Sequence, residues 1–231
     1  MKKASLEQFI NRYNLGGEVE SVKITSSDSE MKVSFISDDK TLLGEVISKE
    51  GEFPNGEFGV YTTSQLKALL GVLSPTMDVN STESYIKFSD KGTSVNYMLA
   101  DLSVIPVVPD LKAVPPMNVQ ITLDDDFTSK FIKSKGALSE SDTFTFECKG
   151  GNGEIILGYS SINTNRISMK VECKCDGDVS PISFSAKYLK EILNANRGSK
   201  SANLQISSQG LANIEFEKDN LTSKYYLVEI K

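Results

Sequence analysis

The chain of 231 residues contains no histidine and no tryptophan. Histidine is the only side chain whose ordinary pKa lies close to neutral pH, so its absence removes the commonest general base and a frequent metal ligand. Hydrolytic triads and metal sites that depend on histidine are therefore excluded. The phosphate-binding patterns G-x-x-x-x-G-K-[ST] and G-x-G-x-x-G are also missing. Carboxylate or cysteine chemistry stays open, but no motif supports it, so we expect no enzymatic activity and no cofactor.

Long apolar runs are missing as well. No stretch is apolar over the length that crosses a membrane, and Met1-Lys2-Lys3 leads directly into polar residues instead of a signal peptide. We therefore expect no membrane partner and a cytoplasmic location, which is the host cell cytoplasm if the protein is viral.

Cysteine is scarce, with only Cys148, Cys173 and Cys175. An odd number of cysteines does not suit the disulfide framework of a secreted domain. The C-x-C spacing of Cys173 and Cys175 is a weak metal signal without histidine, because alternating residues of a strand have the same spacing. We predict reduced thiols and no metal site.

The two halves of the chain repeat each other, which indicates a repeated structural unit. Residues 63–70 align with residues 186–193, and apolar residues three and four apart predict a helix in each segment. Each half also opens with a predicted helix, at 5–14 and at 126–138. Predicted strands in the first half are matched to strands in the second: 33–35 to 144–146, 42–44 to 156–158, 85–88 to 204–206, and 94–98 to 212–216.

Three consecutive aspartates, Asp124 to Asp126, precede the second opening helix. Carboxylates at this position cap free backbone amides and meet the positive end of the helix dipole. A divalent metal site is the alternative interpretation, but capping is the favoured one.

Residues 101–117 form a connector between an N-terminal domain, 1–100, and a C-terminal domain, 118–231. The connector holds four of the seven prolines and is rich in valine and leucine. Proline excludes a helix or a central strand there. Two interpretations are open: the apolar side chains form a binding surface for a partner, or they seal the seam between the domains.

The net charge of −6 alone argues against a nucleic-acid partner. The distribution of charge argues the other way, because the predicted helices are rich in lysine and arginine and, with the flanking Asp124 to Asp126 left out, contain only Glu7 and Glu191 as acidic residues. If the four helices share one face, that face attracts phosphate locally. The alternative is that these lysines are only the solvated faces of amphipathic helices.

The arrangement resembles the processivity-clamp family, which includes the clamps of T-even-like bacteriophages and the proliferating cell nuclear antigen of eukaryotes and archaea. The resemblance covers nearly the whole chain and depends on the repeat, the connector, Phe58-Gly59-Val60-Tyr61, the helix 66–73 and the closing segment 225–228. It implies an α+β fold of two tandem DNA-clamp domains, each with two helices packed on antiparallel sheets. Because the sequence stops just after the last predicted strand, we expect the phage type.

The resemblance also implies a function. The protein is expected to be a DNA sliding clamp, a head-to-tail homotrimeric ring that encircles double-stranded DNA without sequence preference and tethers the replicative DNA polymerase. A clamp loader driven by ATP is the expected further partner. The alternative function is a structural protein, such as a virion component with repeated β-rich domains.

Two sets of site residues follow from the resemblance. The residues expected to face DNA are the basic residues on or beside the predicted helices: Lys2, Lys3, Arg12, Lys67, Lys130, Lys133, Lys135, Lys187, Lys190 and Arg197. The residues expected to form a pocket for partner peptides are apolar and lie in the connector and nearby strands: Ile36, Leu42, Leu102, Val104, Ile105, Val107, Leu111, Tyr225, Tyr226 and Leu227.

Overall fold

The structure is a computed structural model that describes residues 1–49, 53–111, 113–160, 162, 164–199 and 201–231. The chain divides into two compact units. The first contains Met1–Asp38, Leu43–Pro109 and Asp219–Ser223, and the second contains Asp39–Leu42, Asp110–Lys218 and Lys224–Lys231. None of the helices in these residues is long and apolar enough to cross a membrane.

The first unit has two helices, α1 (Lys3–Asn14) and α2 (Thr63–Leu70), which contact each other. Its strands are β1 (Val22–Ser26), β2 (Met31–Ile36), β3 (Leu42–Ser48), β4 (Gly56–Val60), β5 (Asp78–Ser81), β6 (Tyr85–Ser89) and β7 (Ser94–Met98). Four of these strands pair antiparallel in the order β3-β2-β1-β4, and the other three form the antiparallel sheet β5-β6-β7.

The core of the first unit lies under its two helices. Phe9 and Tyr13 from α1 are fully buried and their rings meet edge to face, with centroids 5.8 Å apart. Leu66 and Leu70 supply the buried side of α2. The start of α2 is held by Glu20, whose carboxylate accepts a hydrogen bond of 2.8 Å from the backbone N–H of Ser64. A carboxylate there satisfies an amide that has no partner inside the helix.

The second unit also has two helices in contact, α3 (Asp125–Ala137) and α4 (Ala186–Ala195). Its strands are β8 (Val119–Thr122), β9 (Thr143–Lys149), β10 (Asn152–Leu157), β11 (Ile167–Val171), β12 (Cys173–Cys175), β13 (Val179–Ser185), β14 (Ser201–Ser207), β15 (Leu211–Lys218) and β16 (Leu221–Val228). Four of these strands form a sheet in the order β11-β10-β9-β13, and the other five follow one another in the order β12-β8-β14-β15-β16.

Aromatic packing connects the helices of the second unit to its sheets. Phe131 of α3 meets Phe144 of β9 edge to face at 5.7 Å, and Phe184 of β13 lies 5.6 Å from Phe144. Beyond the end of α4, the side-chain amide of Asn196 donates a 2.8 Å hydrogen bond to the hydroxyl of Tyr225 in β16. These contacts fix both helices on a rigid β framework, as a binding face requires.

The predicted repeat of helices is present, but the predicted matching of strands is wrong. The sheet orders β3-β2-β1-β4 and β11-β10-β9-β13 make β1 equivalent to β9 and β2 equivalent to β10. The alignment of the two halves pairs 33–35, which lie in β2, with 144–146 in β9, an error of one strand. Strand β5 escapes prediction because its sequence, Asp-Val-Asn-Ser, has no apolar alternation. Without it, the alignment matches β6 to β14 instead of β15.

The two units differ in the extended segment that precedes their first helix. In the second unit β8 pairs with β14 before α3 begins. In the first, the same place is occupied by a single antiparallel bridge between Lys2 and Thr76. Helix α1 begins at Lys3, two residues before the predicted start. Asp124 caps α3 as predicted, with its carboxylate accepting a 2.7 Å hydrogen bond from Phe127 N–H.

Candidate peptide groove and nucleic-acid interface

The connector leaves the first unit at a tightly packed point. Ala100 N–H donates a 2.9 Å hydrogen bond to the carbonyl of Gly59 in β4. A side chain at position 59 would collide with the carbonyl oxygen of Ala100, so only glycine allows this approach. Asp101 then caps a one-turn 3-10 helix, Leu102–Val104, by accepting a 2.8 Å hydrogen bond from Ser103 N–H. The side chain of Ser103 and then this backbone hydrogen bond lower the pKa of Asp101.

Beyond this turn, the connector lies against the first unit and forms one wall of a groove. Ile105 is 7% exposed and anchors the chain, whereas Val107 is 91% exposed. The groove has a volume of about 370 Å³. Its lining comes from β1, β2 and the connector: Lys23, Thr25, Lys32, Ser34, Leu102, Ile105, Pro106, Val107 and Val108.

The wall opposite the connector is polar and positively charged. Lys23 forms an ion pair of 2.7 Å with Glu57, and Lys32 forms one of 2.6 Å with Glu45. All four side chains are about two-fifths to one-half exposed. Ion pairs this exposed contribute little to stability, so a carboxylate of a ligand can replace either glutamate at small cost. The groove suits a segment with apolar side chains on one side and acidic or polar groups on the other.

The predicted pocket residues are only partly brought together. Leu102, Ile105 and Val107 line the groove. Val104 and Leu111 are exposed connector residues, and Lys112 lies outside the described residues. Ile36 is half-buried on the same face of β2 as Lys32 and Ser34. That all of these bind a peptide stays a prediction.

The other predicted pocket residues are placed by strand alternation. Leu42, Tyr225 and Leu227 are completely buried and offer no surface to a ligand in this conformation. Adjacent residues of a strand point to opposite faces, so Leu43 lies opposite Ile36 and is half-buried, whereas Leu42 faces the core. Tyr226 is likewise half-buried between two buried neighbours.

Sequence reasoning missed the polar side of the groove. Lys23 and Thr25 alternate with buried residues in β1, and Lys32 and Ser34 do so in β2. This alternation is visible in the sequence and marks an exposed sheet face. The sequence did not show that the connector crosses this face. Among the described connector residues only Ile105 is buried, and one buried residue does not indicate which surface the connector packs against.

In the second unit, lysines form exposed pairs on two neighbouring helices. Lys130 and Lys133 are exposed and lie three residues apart on α3, so they share one side of that helix. Lys187 and Lys190 have the same spacing on α4, the first exposed and the second half-buried. Lys130 pairs with Asp126 at 2.6 Å, which raises the pKa of the lysine and keeps it charged. Lys190 pairs with Glu191 at 3.1 Å, so each helix has one lysine in an ion pair of its own and one further lysine beside it.

Basic residues of the first unit are less available. Lys3 donates to the carbonyl of Leu73 at 2.8 Å, and Lys67 donates to the side-chain oxygen of Asn14 at 3.2 Å. Arg12 is only 2% exposed, so it offers no surface to DNA in this conformation. Arg12 was included in the predicted set because it is charged and lies in a predicted helix. The sequence did not show that it is on the buried side of α1.

No protein-family profile and no curated protein matches this sequence. Solved structures do match it. The proliferating cell nuclear antigen of Entamoeba histolytica is 15% identical, with a TM-score of 0.76 over 100% of this chain and 97% of that one. The A. fulgidus antigen, solved with the C-terminal region of FEN-1 bound, is 16% identical, with a TM-score of 0.77 and the same coverage. The chain has the fold of these nuclear antigens.

This likeness confirms the predicted α+β clamp fold with two tandem domains, each with two helices packed on antiparallel sheets. The expected T-even-like bacteriophage type stays a prediction.

Within this clamp fold, the charge bias of the helices is smaller than the sequence count suggested. Lys2 precedes α1 and Arg197 follows α4, so neither lies inside a helix. Asp125 and Asp126 lie within the first turn of α3. Lys135 is near the end of α3 and donates to the carbonyl of Ser139 at 2.6 Å. Within these bounds each of the four helices carries a net charge of +1, and α3 and α4 differ from α1 and α2 only in having pairs of lysines on one side.

Proposed function

We propose that the protein is one subunit of a DNA sliding clamp, a ring-forming processivity factor that encircles duplex DNA and tethers a replicative DNA polymerase. The observation that carries this proposal is the clamp fold, shared with two nuclear antigens over the whole of this chain. A clamp acts by topology and needs no catalytic group. The absence of histidine and of nucleotide-binding patterns from the sequence is consistent with that role.

Ring formation is supported by open sheet edges. Among the described strands, β7 ends the sheet β5-β6-β7, and β11 ends the sheet β11-β10-β9-β13. Each is five residues long. Pairing β7 of one copy with β11 of the next satisfies both edges in a head-to-tail contact, and such a contact closes into a ring when the rotation allows it. By analogy with the family, the ring is a homotrimer.

DNA contact is assigned to the exposed basic residues of the predicted set. In the second unit these are Lys130, Lys133, Lys187 and Arg197, with the half-buried Lys190 beside them on α4. In the first unit the exposed member is Lys2. Lysine contacts with phosphate are not specific for sequence and weaken as salt rises. Such weak contacts suit a ring that slides, because the ring itself prevents dissociation.

The groove of the first unit is assigned to partner peptides. The A. fulgidus antigen, which has the same fold, binds the C-terminal region of another protein, FEN-1. Here, Leu102, Ile105 and Val107 provide the apolar wall, and Lys23 and Lys32 provide the charged one. Polymerase and clamp-loader segments with apolar anchors fit this lining. The loader must supply the ATP chemistry from other chains, and the proposed location is the cytoplasm.

Two measurements test the proposed function. Light scattering across a concentration series should give a mass approaching three times 25.3 kDa. Protein loaded on nicked circular DNA should then remain bound during gel filtration and be released when the DNA is cut once. A strictly monomeric protein at high concentration, or equal retention on linear and circular DNA, contradicts the clamp.

A further inference from the structure

The second unit brings its three cysteines together. Cys148 lies in β9, and Cys173 and Cys175 lie in β12. These strands belong to different sheets, yet all three Sγ atoms lie within 4.8 Å of one another. The sulfur atoms of Cys173 and Cys175 are 3.2 Å apart. All three are free thiols.

The surrounding residues are shaped to hold these sulfur atoms. Cys148 is completely buried, and Cys173 and Cys175 are half-buried. Gly153 of β10 lies opposite Cys148, and a Cβ at that position would collide with the sulfur of Cys173. The same Cβ would crowd Phe146 and Val171. Glycine thus leaves the space that the sulfur occupies, inside an apolar shell that is open to solvent at the β12 side.

We propose that this three-thiol cluster is a binding site for a soft monovalent metal ion, Cu⁺, held by three thiolates. Soft thiolate ligands select soft metals, and Cu⁺ forms stable trigonal complexes with three sulfur donors. A metal–sulfur distance of about 2.3 Å places three ligands of a trigonal site roughly 4 Å apart, within the observed spread.

The donor set favours Cu⁺ over Zn²⁺. Structural zinc sites almost always have four protein ligands. Among the described residues, the group of metal-ligating side chains has three members, and the sequence contains no histidine and no further cysteine. The bound ion would connect β9 to β12 across two sheets. A ligand that binds only the folded state stabilises it, so the metal should raise the melting temperature.

The test uses reduced, metal-free full-length protein titrated with Cu⁺ under anaerobic conditions against a chromogenic Cu⁺ chelator. We expect one Cu⁺ per chain, with protection of the half-buried Cys173 and Cys175 from alkylation and proton release on binding. Cys175→Ser changes a half-buried strand residue and should weaken Cu⁺ binding by more than about 100-fold, since even outer-shell changes cost about 10- to 100-fold.

Two further variants separate metal binding from packing. Gly153→Ala keeps all three thiols but displaces the sulfur of Cys173, and it should weaken Cu⁺ binding while the far-ultraviolet circular dichroism stays unchanged. Ser29→Ala changes an exposed residue of the first unit, outside the cluster, and should bind Cu⁺ as the parent does. Stoichiometric Cu⁺ retained by Cys175→Ser, no Cu⁺ held against a weak chelator, or preferential binding of Zn²⁺ over Cu⁺ overturns the proposal.

Discussion

Asp124 shows how one side chain determines where an element begins. Its carboxylate accepts the hydrogen bond from Phe127 N–H and so satisfies an amide that α3 cannot pair internally. Asp124→Ala should lower the free energy of unfolding by about 1 kcal/mol. Asp124→Asn keeps a capping oxygen and should stay within a few tenths of the parent value. Urea unfolding followed by circular dichroism measures both, and equal losses for the two variants would contradict the capping role.

Val107 tests the groove without disturbing the fold, because its side chain is 91% exposed. Val107→Lys places a charge on the apolar wall and should weaken binding of a fluorescent peptide based on the C-terminal region of FEN-1 at least about tenfold, since burying an unpaired charge is costly. Val114→Lys is the matched control, because Val114 is an exposed connector residue outside the groove lining. Similar anisotropy titrations for the two variants would remove the groove assignment.

The groove also shows where prediction at the residue scale fails. The apolar composition of the connector was enough to select Leu102, Ile105 and Val107, which do line the groove. Adjacent residues of a strand point to opposite faces, so a prediction that is off by one residue selects the wrong face. Leu42 was predicted to line the pocket, but it is buried and its neighbour Leu43 is half-buried. Arg12 shows a related limit: charge predicts exposure only on average, and this side chain is 2% exposed.

At the scale of elements, the lysine pairs of α3 and α4 carry the proposed DNA contact. A triple variant with Lys130→Glu, Lys133→Glu and Lys187→Glu should no longer be retained on circular DNA. In the parent, log affinity should fall with log salt, and in the variant the slope should become shallower by about one for each phosphate interaction removed. Folding should be preserved, since all three side chains are exposed.

A control with the same charge change separates position from net charge. Lys49, Lys87 and Lys149 are exposed lysines just after β3, on β6 and on β9, away from the edges β7 and β11, and their triple replacement by glutamate gives the same net charge. The strand variant should retain DNA nearly as the parent does. If both triple variants fail to hold DNA equally across the salt series, general electrostatics explains the binding and the helix assignment is wrong.

Helices were predicted better than strands, and the reason is physical. A helix face repeats every 3.6 residues, so 63–70 and 186–193 give a strong, long pattern that the structure confirms as α2 and α4. All antiparallel strands share the same two-residue alternation, so an alignment can slide by one strand and keep its similarity. Because the sequence of β5 is polar, β5 was not recognised as a strand, and the alignment of the two halves could not be corrected by counting strands.

At the scale of the whole molecule, the repeat alone predicted two similar domains, and the clamp fold confirms that prediction. The assembly could not be read from the sequence in the same way. An interface between copies requires knowing which strand edges stay open, and sheet order depends on pairings that are distant in sequence. The described sheets leave β7 and β11 with neighbours on one side only.

Met98 lies at the end of β7 with 65% of its side chain exposed, where a neighbouring copy would cover it. Met98→Lys should lower the mass in light scattering from near three times 25.3 kDa towards that of the monomer, because a buried unpaired ammonium destabilises the contact. Val72→Lys makes the same change at a residue 62% exposed that lies on neither edge strand, and it should remain trimeric. Circular dichroism should be unchanged in both. A trimer that survives Met98→Lys at micromolar concentration would place the interface elsewhere, and dissociation of both variants would mean that added charge, not the edge of β7, weakens the ring.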